Sequence, residues 1–84
     1  MQVRFTQHAD TKFDVLKQHG FDVTRDQVTE TVTHPDMEIQ QPPNRIIAQK
    51  KINQTHVLRV IYRLEDEMRV VITFYPGRRD RYED

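Results

Sequence analysis

The sequence contains no cysteine and no tryptophan, and only two glycines in 84 residues. Without cysteine, disulfides and thiolate metal sites are excluded, which fits a reducing compartment. With Gly20 and Gly77 so far apart, no glycine-rich phosphate loop can form. No apolar run approaches the roughly 20 residues of a membrane span. The N-terminus MQVRFTQH lacks the apolar core of a signal peptide. The expectation is a single domain, residues 1–84, located in the cytoplasm, with no membrane association. Hydrophobic residues make up 36% and charged residues 31%, so a domain of this size must build its core economically.

Excess charge of one sign is also missing, since 13 basic residues balance 13 acidic ones. The balance hides a segregation. Residues 1–44 carry four basic and seven acidic side chains, and residues 45–84 carry nine and six, giving −3 and +3. Such segregation creates a local positive field without a basic total.

The pattern along the chain is mixed. QVRFT, residues 2–6, alternates as a short strand. Ala9, Phe13, Leu16 and Gly20 follow on one helical face, with Gly20 as the stop. Thr24 and Gln27 form a capping-box pattern for a second helix, residues 25–34, that buries Val28 and Val32 and ends at Pro35. From there the period becomes two. MEIQQPPN is extended and broken at Pro42-Pro43-Asn44. Strands are expected at residues 45–52, 56–64 and 68–75, and connections this short demand an antiparallel meander. The fold class is therefore α+β: a short N-terminal strand and two helices packed on one face of the meander.

Strict alternation assigns the faces. Leu58, Val60, Tyr62 and Leu64, with Met68, Val70, Ile72 and Phe74, face the helices. The expected core comprises Phe13, Leu16, Val28, Val32, Val60, Ile72 and Phe74. The other face collects Arg59, Arg63, Arg69, Val71, Thr73 and Tyr75. Arg45, Gln49 and Lys51 join them if Ile46, Ala48 and Ile52 point inward. Arg78, Arg79, Arg81 and Tyr82 follow Pro76-Gly77 at the end of this surface, interspersed with Asp80, Glu83 and Asp84.

Plain readings stand beside these. Exposed arginines opposite a dry face are the default. A terminal segment such as GRRDRYED is commonly solvated. His8 reads as a half-buried or capping histidine, and His19 as a cation at a helix C-terminus. His34 reads like His19, and His56 begins a strand and points with Leu58. The four histidines lack metal-site spacing, so neither metal nor cofactor is expected.

Several stretches together resemble the RelE/ParE superfamily of small toxins, nearest to BrnT-type toxins and a related small domain family of unknown function. They are FTQHA, HGFDVTRDQVTETVTHPD, HVLRVIY and ITFYPGRRDRYED. The resemblance implies a RelE-like fold and a type II toxin that cuts mRNA, on or off the ribosome, without a metal. In that chemistry the ribose 2′-OH attacks the adjacent phosphate, leaving a cyclic phosphate and a 5′-OH end. Arginine suits the pentavalent phosphate because its planar fork pairs two oxygens. The resemblance maps Arg59 onto the sheet arginine, in the context RVIY, and Arg78 or Arg79 onto the arginine after the last strand. Tyr82 takes the place of the C-terminal tyrosine, for proton transfer or stacking. Lys50 stands nearest the basic position on the preceding strand, whereas alternation favours Lys51. Arg63 and Arg81 complete the expected RNA-binding set. The implied partners are RNA and a cognate antitoxin. A different reading is a non-catalytic module whose open sheet face docks a protein, since ParE-like members act on a topoisomerase and fold alone does not fix function.

Overall fold

The computed structural model describes residues 2–83, and Met1 and Asp84 lie outside the described residues. Strand β1 (Gln2–Phe5) turns the alternating Val3 and Phe5 toward the core. Thr6 then caps helix α1 (Gln7–Gln18), its hydroxyl accepting from Ala9 N at 3.1 Å. The Thr6 N–H also donates to Val71 O, tying the start of α1 to the sheet. The helix ends where the sequence pattern expects. Gly20 has φ +88°, Gly20 N–H donates to Lys17 O, and Phe21 N–H donates to Leu16 O. A side chain is unfavourable in that left-handed conformation, so glycine suits this C-terminal closure.

Helix α2 (Arg25–Thr33) begins with the capping box in full. The Thr24 hydroxyl accepts from Gln27 N, and Gln27 Oε1 accepts from Thr24 N. It buries Val28, Thr31 and Val32. Four strands follow: β2 (Met37–Gln41), β3 (Arg45–Lys51), β4 (His56–Glu65) and β5 (Met68–Arg78), then a final turn of helix, α3 (Arg79–Tyr82). The sheet order is β1-β5-β4-β3-β2, with β2 to β5 antiparallel and β1 parallel to β5. The fold is thus the expected α+β arrangement, and the meander gains the extended MEIQQ stretch as an edge strand.

Helices α1 and α2 pack against one face. Ala9, Leu16, Val28 and Val32 meet Ile46, Ala48, Leu58, Val60, Tyr62, Val71 and Phe74. The Phe13 ring sits 5.8 Å from Phe5 and 4.7 Å from Phe74. The Arg25 guanidinium covers both Phe5 and Phe13 and is ion-paired to Asp10.

One assignment changes. Ile61 pairs with Thr73, yet Tyr62 pairs with Val71, so Ile72 is an extra residue on β5. A bulge reverses the alternation beyond it. Val71, not Ile72, therefore joins the core beside Tyr62, and Ile72 is only partly buried. Val70 turns to the open face, between Arg63 and Arg4. Arg69 turns to the helix-bearing face opposite Leu64, which lies 42% exposed beyond the reach of the helices. Strict alternation had placed Arg69 and Val71 on the open face, and Met68, Val70 and Ile72 on the other. All five positions are corrected by this single inserted residue.

Candidate functional site at the end of the sheet

The start of β4 and the end of β5 form one ladder: His56 opposite Arg78, Val57 opposite Gly77, Leu58 opposite Pro76, and Arg59 opposite Tyr75. Past Arg78 the chain turns into α3 and comes back over the open face. The Tyr82 ring then lies over the Arg59 guanidinium, 4.2 Å from its carbon to the ring centre. Gly77 makes this approach possible. A Cβ there would stand 2.4 Å from the Tyr82 ring, closer than any side chain tolerates.

Gln49 completes the arrangement. Its Oε1 accepts from Arg59 Nη1 at 3.2 Å, and its Nε2 donates to the Tyr82 carbonyl at 3.2 Å. Both side chains are buried, Gln49 at 3% exposure and Arg59 at 9%. The ring of Tyr75, opposite Arg59 on β5, lies 5.9 Å from the guanidinium. Among the described residues Arg59 has no carboxylate partner, and its Nε has no acceptor. A desolvated cation held, among the described residues, by an amide and two rings costs free energy that an arriving anion would recover.

Next to this cluster a groove of about 690 Å³ wraps round the end of the sheet. Phe21 and His56 line it from the helix side, Tyr82 and Gly77 from the open side, and Arg78 and Arg81 stand with Asp80 at its rim. Arg78 is largely exposed and donates to Asp80 at 3.3 Å. A weak surface pair of that kind leaves the guanidinium free to exchange partners.

Of the expected site residues, Arg59, Arg78, Arg81 and Tyr82 are brought to this end of the sheet. Arg79 is not. It donates to Glu83 and to Gln54 O, and its N–H donates to Thr55 O, so it clamps α3 onto the β3–β4 turn. Lys50 points to the helix side, where Nζ donates to His34 O at 2.8 Å and approaches Asp36. Lys51 has the open-face phase, opposite Val57, and is exposed. Arg63 sits further along β4 and pairs with Glu65. That hydrogen bond, aided by the charges of Arg63 and Arg4, holds the Glu65 carboxyl below its usual range. His56 and Phe21 were not expected at the site. His56 stands opposite Arg78 only through the β4–β5 register, and Phe21 arrives through the turn after α1, so neither was marked by local spacing.

No group of three His, Cys, Asp or Glu among the described residues is placed to hold a metal ion. No helix among them is long and apolar enough to cross a membrane. In comparisons with protein-family models, curated proteins and solved structures, the chain matches none of them.

Proposed function

We propose that the chain is a metal-independent endoribonuclease, the toxin member of a toxin–antitoxin pair, acting at the end of the sheet. The observation that carries this reading is Arg59, buried beneath Tyr82 with no carboxylate partner among the described residues, and beside a groove edged by two further arginines. The motif likeness of RVIY and YPGRRDRY to RelE-like toxins supports it. Arg78 and Arg81 pair with the non-bridging oxygens of the scissile phosphate. Arg59 contributes a fixed positive field whose stabilising effect grows as negative charge accumulates in the pentavalent transition state. Tyr82 offers its ring to a flanking base and keeps the guanidinium of Arg59 in place.

The test is incubation of the purified protein with single-stranded RNA in EDTA, with mapping of the ends. Cyclic-phosphate and 5′-OH termini are expected. The double variant Arg78→Ala/Arg81→Ala should lose cleavage while melting as the wild type does, because exposed charges contribute little to stability. Intact RNA after incubation with wild-type protein, together with normal growth on induced expression, would sink the reading.

A second reading has an observation of its own. Ile39, Ile47 and Ile61 are successive cross-strand neighbours on the open face, with Met37 beside them on β2. Ile39 and Met37 are 38% and 40% exposed. An apolar row flanked by Arg45 and Arg63 suits an amphipathic, acidic protein segment such as an antitoxin. Co-purification with the product of an adjacent gene, lost in Ile61→Asp, distinguishes this role from RNA cutting.

A further inference from the structure

Resting on the ribonuclease reading above, we infer that His56 is the proton acceptor of the site, taking the ribose 2′-hydroxyl proton on its Nε2. The inference comes from hydrogen-bond directions in the turn before β4. Asn53 Oδ1 accepts from two backbone donors, Thr55 N at 2.9 Å and His56 N at 2.8 Å. A side-chain amide nitrogen could not accept those bonds, so this atom is the oxygen.

The Thr55 hydroxyl lies 3.1 Å from the same oxygen, within reach to donate its single proton there. Thr55 Oγ1 also lies 2.8 Å from His56 Nδ1. With that proton given to Asn53, the hydroxyl oxygen accepts from Nδ1–H, and this is the tautomer we assign. In that tautomer the neutral imidazole keeps its free lone pair on Nε2. Phe21 meets the ring edge-on at 5.3 Å and 71°, which fixes its plane. The oriented ring lines the groove opposite Arg78, with Arg81 and Tyr82 on the same groove. This is a base, an orienting group and phosphate-binding cations in one place.

The step balances as follows. The 2′-O–H proton moves to Nε2 as the 2′-oxygen forms its bond to phosphorus. The bond from phosphorus to the 5′-oxygen breaks, and that oxygen takes a proton from water. The imidazolium returns its proton to the hydroxide so formed. The products are a 2′,3′-cyclic phosphate and a 5′-hydroxyl.

The experiment measures cleavage and binding of one single-stranded RNA oligonucleotide by wild type, His56→Gln, His56→Ala and Thr55→Val. Removing a general base lowers the rate by ~100-fold or more, so His56→Gln should lose kcat to that extent with RNA affinity unchanged. Added imidazole should restore part of the activity of His56→Ala, a rescue that a structural role would not show. Thr55→Val leaves the ring but removes the acceptor of its Nδ1–H, and should lower kcat without changing KM. If wild type cuts RNA and His56→Gln cuts equally fast, this assignment is overturned while the ribonuclease reading stands. If His56→Gln loses affinity and activity together and imidazole restores nothing, His56 is a binding residue and the assignment again fails. If the wild type cuts no RNA, both fall.

Discussion

The two faces of this sheet are both dry where β4 and β5 are widest, by opposite means. Under α1 and α2 the dryness is aliphatic and aromatic: Leu58, Val60, Val71 and Phe74, none more than marginally exposed. On the far side, under α3, it consists of Val57, Gln49 and Arg59, roofed by a single tyrosine. Apolar burial is favourable in itself, at roughly 25 cal/mol per Å². Burial of a guanidinium is unfavourable until something negative compensates it. The first face therefore explains why the chain folds, and the second holds a cost that folding alone does not account for. That asymmetry is the physical ground for placing function at α3 and not at the helices.

The contrast is broken most forcefully from the helix side. Phe74 is fully buried and packs at a tilt against Phe13. Phe74→Ala should cost about 3–5 kcal/mol, a large share of the roughly 5–15 kcal/mol that holds a small domain. Urea denaturation measures it. A midpoint unchanged from wild type would mean that the core does not depend on this ring.

Much of this division was legible in the sequence. Thr24 with Gln27, and Gly20 after a 3.6-period face, mark helix ends because capping chemistry is local. The period-two stretches mark the strands, and their phase places Arg59 and Gln49 on the side away from the helices. The phase failed beyond Ile61 because a bulge leaves no signature in alternation. Val70, Val71 and Ile72 are all apolar and β-branched, so any of the three could have been the extra residue. Pro76-Gly77 marked the expected strand end, but both residues pair within β5, and the chain turns into α3 only past Arg78. What Gly77 must accommodate, and the meeting of His56 with Arg78, depend on contacts remote in sequence. The clamp made by Arg79 was hidden for the same reason. An arginine that binds a carbonyl in a distant turn has the same local context as one that binds phosphate.

The next largest effect should come from Gly77→Ala, which tests the roof alone. The new methyl would overlap the Tyr82 ring, and backbone and ring cannot both keep their positions. Over-packing of this kind costs about 1–3 kcal/mol. Here the clash is with one side chain at the sheet's end, which can shift, so the lower part of that range is expected. The informative readout is local. Tyr82 ring and Gln49 side-chain amide resonances should shift, and Phe13 and Phe74 should not. Shifts spread equally over both faces would show that the two dry regions are one core, and the comparison would dissolve.

The smallest expected effect on stability is also the sharpest test of the difference. Arg59→Met replaces the buried cation with an apolar side chain of similar reach, one that packs well against tyrosine. Two consequences oppose each other. Gln49 Oε1 loses its donor, and an unsatisfied buried acceptor costs about 1–3 kcal/mol. Against that, the desolvation of a buried guanidinium disappears, and replacing buried ionic groups with hydrophobic ones is often neutral or stabilising by about 1–4 kcal/mol. The net change in unfolding free energy should therefore lie near zero, in contrast with Phe74→Ala on the opposite face. RNA binding and cleavage should be lost in the same variant. If instead Arg59→Met destabilises the domain as severely as Phe74→Ala, the guanidinium is part of the scaffold. Its burial would then need no ligand to explain it, and the open face would lose its claim to be the working one.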